Sequence, residues 1–174
     1  MIHLSNTRFG DISVEETSAI AFPRGIIGFS EESGFTILER TNGPIAYLQS
    51  LKNPRLALPI IDSSMLSPSY PDGPKEDLAN LVGIDVNNMA VLVVVHVSPD
   101  DKRLRANLLA PIVVDVENRK AWQIILDPET YGANVAIGDP KNTLASTNKT
   151  TIINAPASGT TTTATPTTAT SANP

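Results

Sequence analysis

The sequence predicts a mainly β fold: a small antiparallel β-barrel-like single domain over residues 1–138 with one short helix, followed by a disordered C-terminal tail over 139–174. Three observations carry that prediction. Apolar side chains recur with period two in several separate runs, one segment alone combines helical spacing with helical end signals, and the composition changes sharply near residue 139. A length of 174 residues suits one domain with a real core. The hydrophobic share of 41%, mostly aliphatic, against 18% charged residues is that of a globular chain.

Ile2 and Leu4 alternate with His3 and Ser5, which turns one face of a first strand inward. Phe22 to Phe29 reads FPRGIIGF, where Pro23 fixes one dihedral and Gly25 and Gly28 permit positive φ. Phe22 and Phe29 are expected to pin this turn to the core. Phe35–Arg40, Ala46–Leu51 and Leu56–Ile61 follow as strands, separated by Asn42-Gly43-Pro44 and Asn53-Pro54, which are turn chemistry.

The helix is signalled by Pro74 at a first helical position, by Glu76 and Asp77 near the positive end of the dipole, and by the face Leu78, Leu81, Val82. Gly83 stops it. Ala90–Val97 is apolar on both faces and rich in valine, whose branched Cβ suits a pleated sheet, so it is expected as the central strand. Two more alternations follow: Ile112, Val114 and Val116 against Asp115 and Glu117, then Trp122, Ile124 and Leu126 against Gln123 and Asp127. Many short strands with one helix point to a largely antiparallel barrel or sandwich, in which closure removes exposed edges.

The tail has a different character. After Ile153 there is no large apolar side chain and after Lys149 no charge, and Thr, Ala, Ser, Asn and Pro dominate. Such a composition buries too little apolar area to offset its ordering entropy.

Residues 1–138 hold 17 acids against 11 bases, net −6, where the whole chain is −5. The tightest basic group, Lys102, Arg103 and Arg105, lies beside Asp100 and Asp101. An acidic domain repels phosphate, so direct binding of nucleic acid is not expected, whereas a basic protein partner is compatible with this charge. The absence of cysteine excludes disulfides, thiolate metal sites and cysteine nucleophiles, and it suits a reducing compartment. The N-terminus lacks a basic region followed by an apolar stretch, and the longest apolar run, Ala90–Val95, is far shorter than the roughly 20 residues of a membrane helix. A cytoplasmic protein without a membrane span is the expectation.

Catalytic signals are missing. The two histidines, His3 and His96, have no metal-binding spacing, and no nucleophile is positioned for a base. Gly25 and Gly28 match neither the dinucleotide fingerprint nor a phosphate loop, and Asp62 and Asp100-Asp101 lack the alternating oxygens of a calcium loop. No catalytic residue, metal or cofactor is expected.

Partner-binding candidates are polar residues that interrupt apolar runs, and acidic pairs in loops. Asn107 begins an otherwise apolar stretch, where it either hydrogen-bonds a partner's backbone or caps a turn. Gln49, between Leu48 and Leu51, is either satisfied internally or presented to a partner. Glu31 and Glu32, like Asp100 and Asp101, are acidic pairs suited to electrostatic steering or merely to solvation.

The pieces also fall in a telling order. Arg8-Phe9-Gly10 is followed by FPRGIIGF at Phe22 to Phe29, Phe35-Thr36-Ile37-Leu38, YLQSL at Tyr47 to Leu51, Pro68-Ser69-Tyr70, ANLLAPIVVD at Ala106 to Asp115 and Gln123-Ile124-Ile125-Leu126. Over residues 1 to about 128 this set resembles the flagellar assembly factor FliW family. The resemblance implies a compact barrel-like domain without catalytic activity and with two protein partners. One is flagellin; the other is CsrA, a dimeric RNA-binding regulator that represses flagellin translation and is antagonised by capture. The chain departs from the family pattern at Ser63, where proline is usual, at Leu66, where an aromatic is common, at Ser69, where aspartate often precedes the tyrosine, and at Ala121, where glycine is typical. Ala121 implies that the turn before the last strand needs no positive φ. Two other classes compete with the partner switch: a passive flagellin chaperone without a regulatory partner, and a small-molecule-binding β-barrel or hydrolase.

Overall fold

The computed structural model of the chain describes residues 1–39, 43–66, 70–71, 75–137 and 152–154. The N-terminal alternation becomes a hairpin of β1 (Ile2–Thr7) and β2 (Gly10–Val14), with Leu4 buried opposite Ile12. Next come β3 (Ile20–Ala21), β4 (Gly34–Leu38), β5 (Ala46–Ser50), β6 (Ala57–Asp62) and the helix α1 (Lys75–Val82). The remaining strands are β7 (Met89–Val97), β8 (Leu104–Ala106), β9 (Ile112–Asp115), β10 (Lys120–Gln123), β11 (Ile125–Leu126), β12 (Val135–Ala136) and β13 (Ile152–Asn154).

Nine strands form one sheet in the order β12-β8-β7-β6-β5-β4-β3-β10-β9, and a further pairing of β7 with β9 closes it. The closed ring is β3, β4, β5, β6, β7, β9 and β10, antiparallel apart from the parallel contact of Lys120 with Ala21. Closure depends on β7. One edge of this strand meets β6, while the other is shared, residues 89–92 pairing with β9 and residues 95–97 with β8. β8 and β12 therefore peel away from the ring.

That arrangement explains why β7 is apolar on both faces. Leu92 points into the ring with Phe35, Leu48, Ile60 and Ile112, while Val91, Val93 and Val95 point outward into a second core. The second core is completed by Leu78 of α1 and by Ile124, Leu126 and Tyr131. Burying a valine such as Val93 contributes roughly 1.5–3 kcal/mol, so neither face tolerates a polar residue there. The helix ends as expected: Gly83 has φ +74°, and the amides of Gly83 and Ile84 both donate to the Ala79 carbonyl, at 2.9 and 3.0 Å.

Several expectations need correction. Val116 is 49% exposed, whereas Asp115 is buried and its carboxylate accepts the Asn118 amide at 3.0 Å and Asn118 Nδ2 at 2.8 Å. Those hydrogen bonds hold the Asp115 carboxyl below its usual range and make it the cap of the turn instead of a solvent-facing strand residue. The run from Trp122 to Leu126 is not one strand. It breaks at Ile124, whose amide turns to the Pro111 carbonyl, yet the alternation persists through the break: Ala121 faces the ring interior, and Ile124 and Leu126 share the outer core as expected. The turn before β10 does require a left-handed residue. Arg119 supplies it with φ 53°, and Ala121 lies two positions later, inside the strand.

Of the family departures, Ser63 is buried in a short 3-10 turn whose Ser64 amide is capped by Asp62, and Leu66 packs on the outer core. Pro68, Ser69 and Pro74 lie outside the described residues, as does the predicted tail apart from Ile152–Asn154, which pair with β11.

Candidate partner-binding surface

The FPRGIIGF segment forms a tight, outward turn between β3 and β4. Gly25 has φ +64°, and a Cβ there would lie 2.6 Å from the backbone of Ser30, so only glycine fits. Ile26 and Phe29 exchange backbone hydrogen bonds at 3.3 and 2.7 Å, which leaves two residues, Ile27 and Gly28, at the tip. Phe22 and Ile26 anchor the turn in the ring interior, with the Phe22 ring edge-on to Phe35 at 4.9 Å.

The tip itself is apolar and exposed. Ile27 is 58% exposed and Phe29 38%, so Phe29 does not pin the turn to the core as expected. A two-residue tip cannot turn both Ile26 and Ile27 inward; Ile26 takes the buried place, and Phe29, its backbone partner across the turn, is left partly in solvent. Covering these two side chains would recover on the order of 1–2 kcal/mol each, which is a standing incentive for a partner.

Gln123 fixes the tip in place. Its Oε1 accepts the Ile27 amide at 2.8 Å and its Nε2 donates to the Ala110 carbonyl at 3.0 Å. Between the turn and strands β10 and β11 lies a cleft of about 330 Å³, lined by Arg24, Ile26, Ile27, Trp122, Gln123 and Ile125 among others. The surroundings are mostly apolar with a few polar groups, the composition of a site that recognises protein side chains. Sequence reasoning missed this use of Ile27, Trp122, Gln123 and Ile125, and the exposure of Phe29 beside it. The available signal was the pair Ile26-Ile27 enclosed by glycines.

The residues selected from the sequence are distributed over three places. Glu31 is exposed beside the apolar tip, and Lys52 Nζ donates to its carbonyl at 3.3 Å. Its neighbour Glu32 is only 9% exposed and accepts Ser50 Oγ at 2.6 Å, so the acidic pair is solvated at Glu31 alone. Gln49 belongs to the same knot: it is wholly buried, and its Nε2 donates to the carbonyls of Ser50, Pro54 and Leu56 at 3.0–3.1 Å. Gln49 is thus turned inward and not toward a partner, its Nε2 satisfied internally while its buried Oε1 has no hydrogen-bond partner among the described residues.

Asp100 and Asp101 sit at the tip between β7 and β8. Asp101 Oδ2 pairs with Arg105 Nη2 at 2.6 Å, and its Oδ1 accepts the Arg103 amide at 3.1 Å. The Arg105 hydrogen bond first and the Arg103 amide second hold its carboxyl down to about 2. With Lys102, Arg103 and Arg105 beside the two aspartates, this tip is not an acidic patch. Asn107 is half-buried and caps a turn, its Oδ1 accepting the Ala110 amide at 3.2 Å. It thereby shapes the same loop that Gln123 holds through Ala110.

Comparison with known proteins places these features in a family setting. The FliW protein family model matches residues 3–137. The flagellar assembly factor FliW of Caldanaerobacter subterraneus subsp. tengcongensis is 36% identical over 133 residues, which cover 75% of this chain and 89% of that protein. The flagellar assembly factor FliW of Caldicellulosiruptor bescii is 35% identical over 124 residues, covering 71% and 82% respectively. A crystal structure of the flagellar assembly factor FliW superposes with a TM-score of 0.68 at 28% identity, covering 79% of this chain and 99% of that one.

Proposed function

Because the chain belongs to the FliW family of flagellar assembly factors, we propose that it is a cytoplasmic, non-enzymatic binding protein that holds flagellin and, when flagellin is scarce, captures CsrA. The level of flagellin would then set its own translation. One observation carries the choice of surface: a turn fastened by Gln123 exposes Ile27 and Phe29 to solvent, and Ile27 lines an apolar cleft. Flagellin is assigned to this cleft, since apolar and backbone contacts suit a filament subunit. The net charge of −6 on residues 1–138 supports association with an RNA-binding partner that presents basic surface.

The non-enzymatic reading is supported by the state of the histidines. His3 Nδ1 lies 2.8 Å from Ser13 Oγ on the exposed face of the N-terminal hairpin, and His96 is exposed on β7 opposite Arg105. Neither borders the cleft.

The switch is tested by loading the chain with labelled CsrA and adding flagellin. Release of CsrA as flagellin binds is the expected result. Flagellin binding without CsrA binding would leave a passive chaperone, and binding of neither protein would defeat the reading.

A further inference from the structure

The cleft has a neighbour that the family match does not include. Ile152–Asn154 lie beyond residue 137, where that match ends, and pair antiparallel with β11, Asn154 opposite Ile125 and Ile152 opposite Leu126. Among the described residues β11 has no other strand partner, and on the ring side its environment is already fixed, since the amides of Ile124 and Leu126 donate to the carbonyls of Pro111 and Leu109 at 3.0 and 2.8 Å. One strand edge is left for β13. Ile125 belongs to both places: it lines the cleft beside Trp122 and Ile27, and it is paired by Asn154.

We propose that the β11 edge is a strand-accepting site, and that Ile152–Asn154 fill it as a built-in, displaceable competitor for an extended apolar segment of a partner protein. Strand addition of this kind takes its affinity from main-chain hydrogen bonds, with neighbouring pockets supplying selectivity, and the cleft is such a pocket. The segment suits the task by composition. Ile152 and Ile153, preceded by Thr150 and Thr151, are the only β-branched aliphatic residues after residue 137, and Pro156 limits any extension of the strand. The pairing also suits displacement, being three residues long with its register shifted between Ile125 and Leu126. A segment tethered through the chain meets its site at an effective concentration on the order of millimolar, so a weak strand still occupies the edge until a better one arrives. The inference rests on the cleft being a binding surface and not on which protein binds there.

The test uses the full chain and a variant carrying Ile152→Pro and Ile153→Pro, which removes two backbone donors from the strand. The probe is a synthetic peptide copying residues 149–155, read through Trp122, the single tryptophan, which lines the cleft. The variant is expected to bind the peptide at least tenfold more tightly than the parent and with a change in Trp122 emission, and hydrogen exchange of the Ile125 amide should be faster in the variant and slow again when peptide is added, while the Leu126 amide, held by the Leu109 carbonyl, stays protected in both. Equal affinity for parent and variant, or no binding to either, overturns the proposal. A parent that elutes as a dimer and a variant that elutes as a monomer would also overturn it, since the strand would then be donated by a second copy. A peptide that binds as expected while flagellin does not would count against the proposed function and leave this inference standing.

Discussion

The side-chain oxygen of Gln123 accepts the backbone amide of Ile27 at 2.8 Å, joining two segments 96 positions apart in the chain. The other end of the same amide donates to the Ala110 carbonyl, so one residue of β10 fastens the exposed turn to the loop that precedes β9. The presentation of Ile27 is therefore a property of the folded barrel, not of the turn sequence alone.

Gln123→Ala is expected to free the turn. Both backbone groups lose their partner, at a cost of roughly 1–2 kcal/mol, which lowers the melting temperature by about 2–8 °C. Trp122 borders the same cleft, so its emission should shift with the loosened turn. Thermal unfolding and fluorescence check this. An unchanged melting temperature together with unmoved emission would show that Gln123 does not hold the tip.

Val93→Asp should abolish folding, and His96→Gln should not matter. Val93 is wholly buried in the outer core, where an unpaired carboxylate costs more than about 4 kcal/mol or is forced to protonate. His96, three positions later, is exposed, so its replacement is expected to change stability by less than about 0.5 kcal/mol and to spare partner binding. Circular dichroism and partner titration distinguish the two. A well-folded His96→Gln protein that bound neither partner would assign that histidine a direct role.

Asp101→Asn tests the tip between β7 and β8 through pH. The Arg105 partner lowers the folded carboxyl to about 2, below its ordinary range, so its contribution is present above about pH 4 and is lost as pH falls through about 2. The variant should melt slightly below the parent at pH 7, and the gap should close on acidification toward pH 2 and narrow in high salt. A gap that is constant from pH 7 to pH 2 would show that the ion pair does not stabilise this tip.

The fold was legible where side-chain period and burial coincide. The faces of residues 90–95 separate cleanly into the two cores, with His96 and Val97 exposed beyond them, and α1 stops at Gly83 because a left-handed residue can be read directly from the chain. Legibility failed where the backbone interrupts a strand without changing side-chain parity. Ile124 and Leu126 keep the face that alternation gives them, but the break that separates β10 from β11, where the Ile124 amide turns to the Pro111 carbonyl, leaves no mark in the pattern. Ring closure was anticipated as a class, but the sharing of one β7 edge between β8 and β9 depends on long-range pairing that no local pattern encodes. At the site, acidity and polarity drew attention to Glu32 and Gln49, which the structure spends on internal hydrogen bonds. The exposed apolar tip passed as a core anchor, because sequence cannot tell an aromatic residue facing inward from one that a two-residue turn has rotated outward.

The central claim is that the exposed apolar tip of Ile27 and Phe29, with the cleft that Ile27 lines, is where flagellin is held. The most direct measurement is calorimetric titration of flagellin into the full chain and into a variant carrying Ile27→Ser and Phe29→Ser, with melting temperatures recorded for both. Both side chains are already largely in water, so the variant should melt within a few degrees of the parent. Losing two apolar anchors worth about 1–2 kcal/mol each should weaken flagellin binding by roughly 30-fold or more. A folded variant that binds flagellin as tightly as the parent would contradict the account.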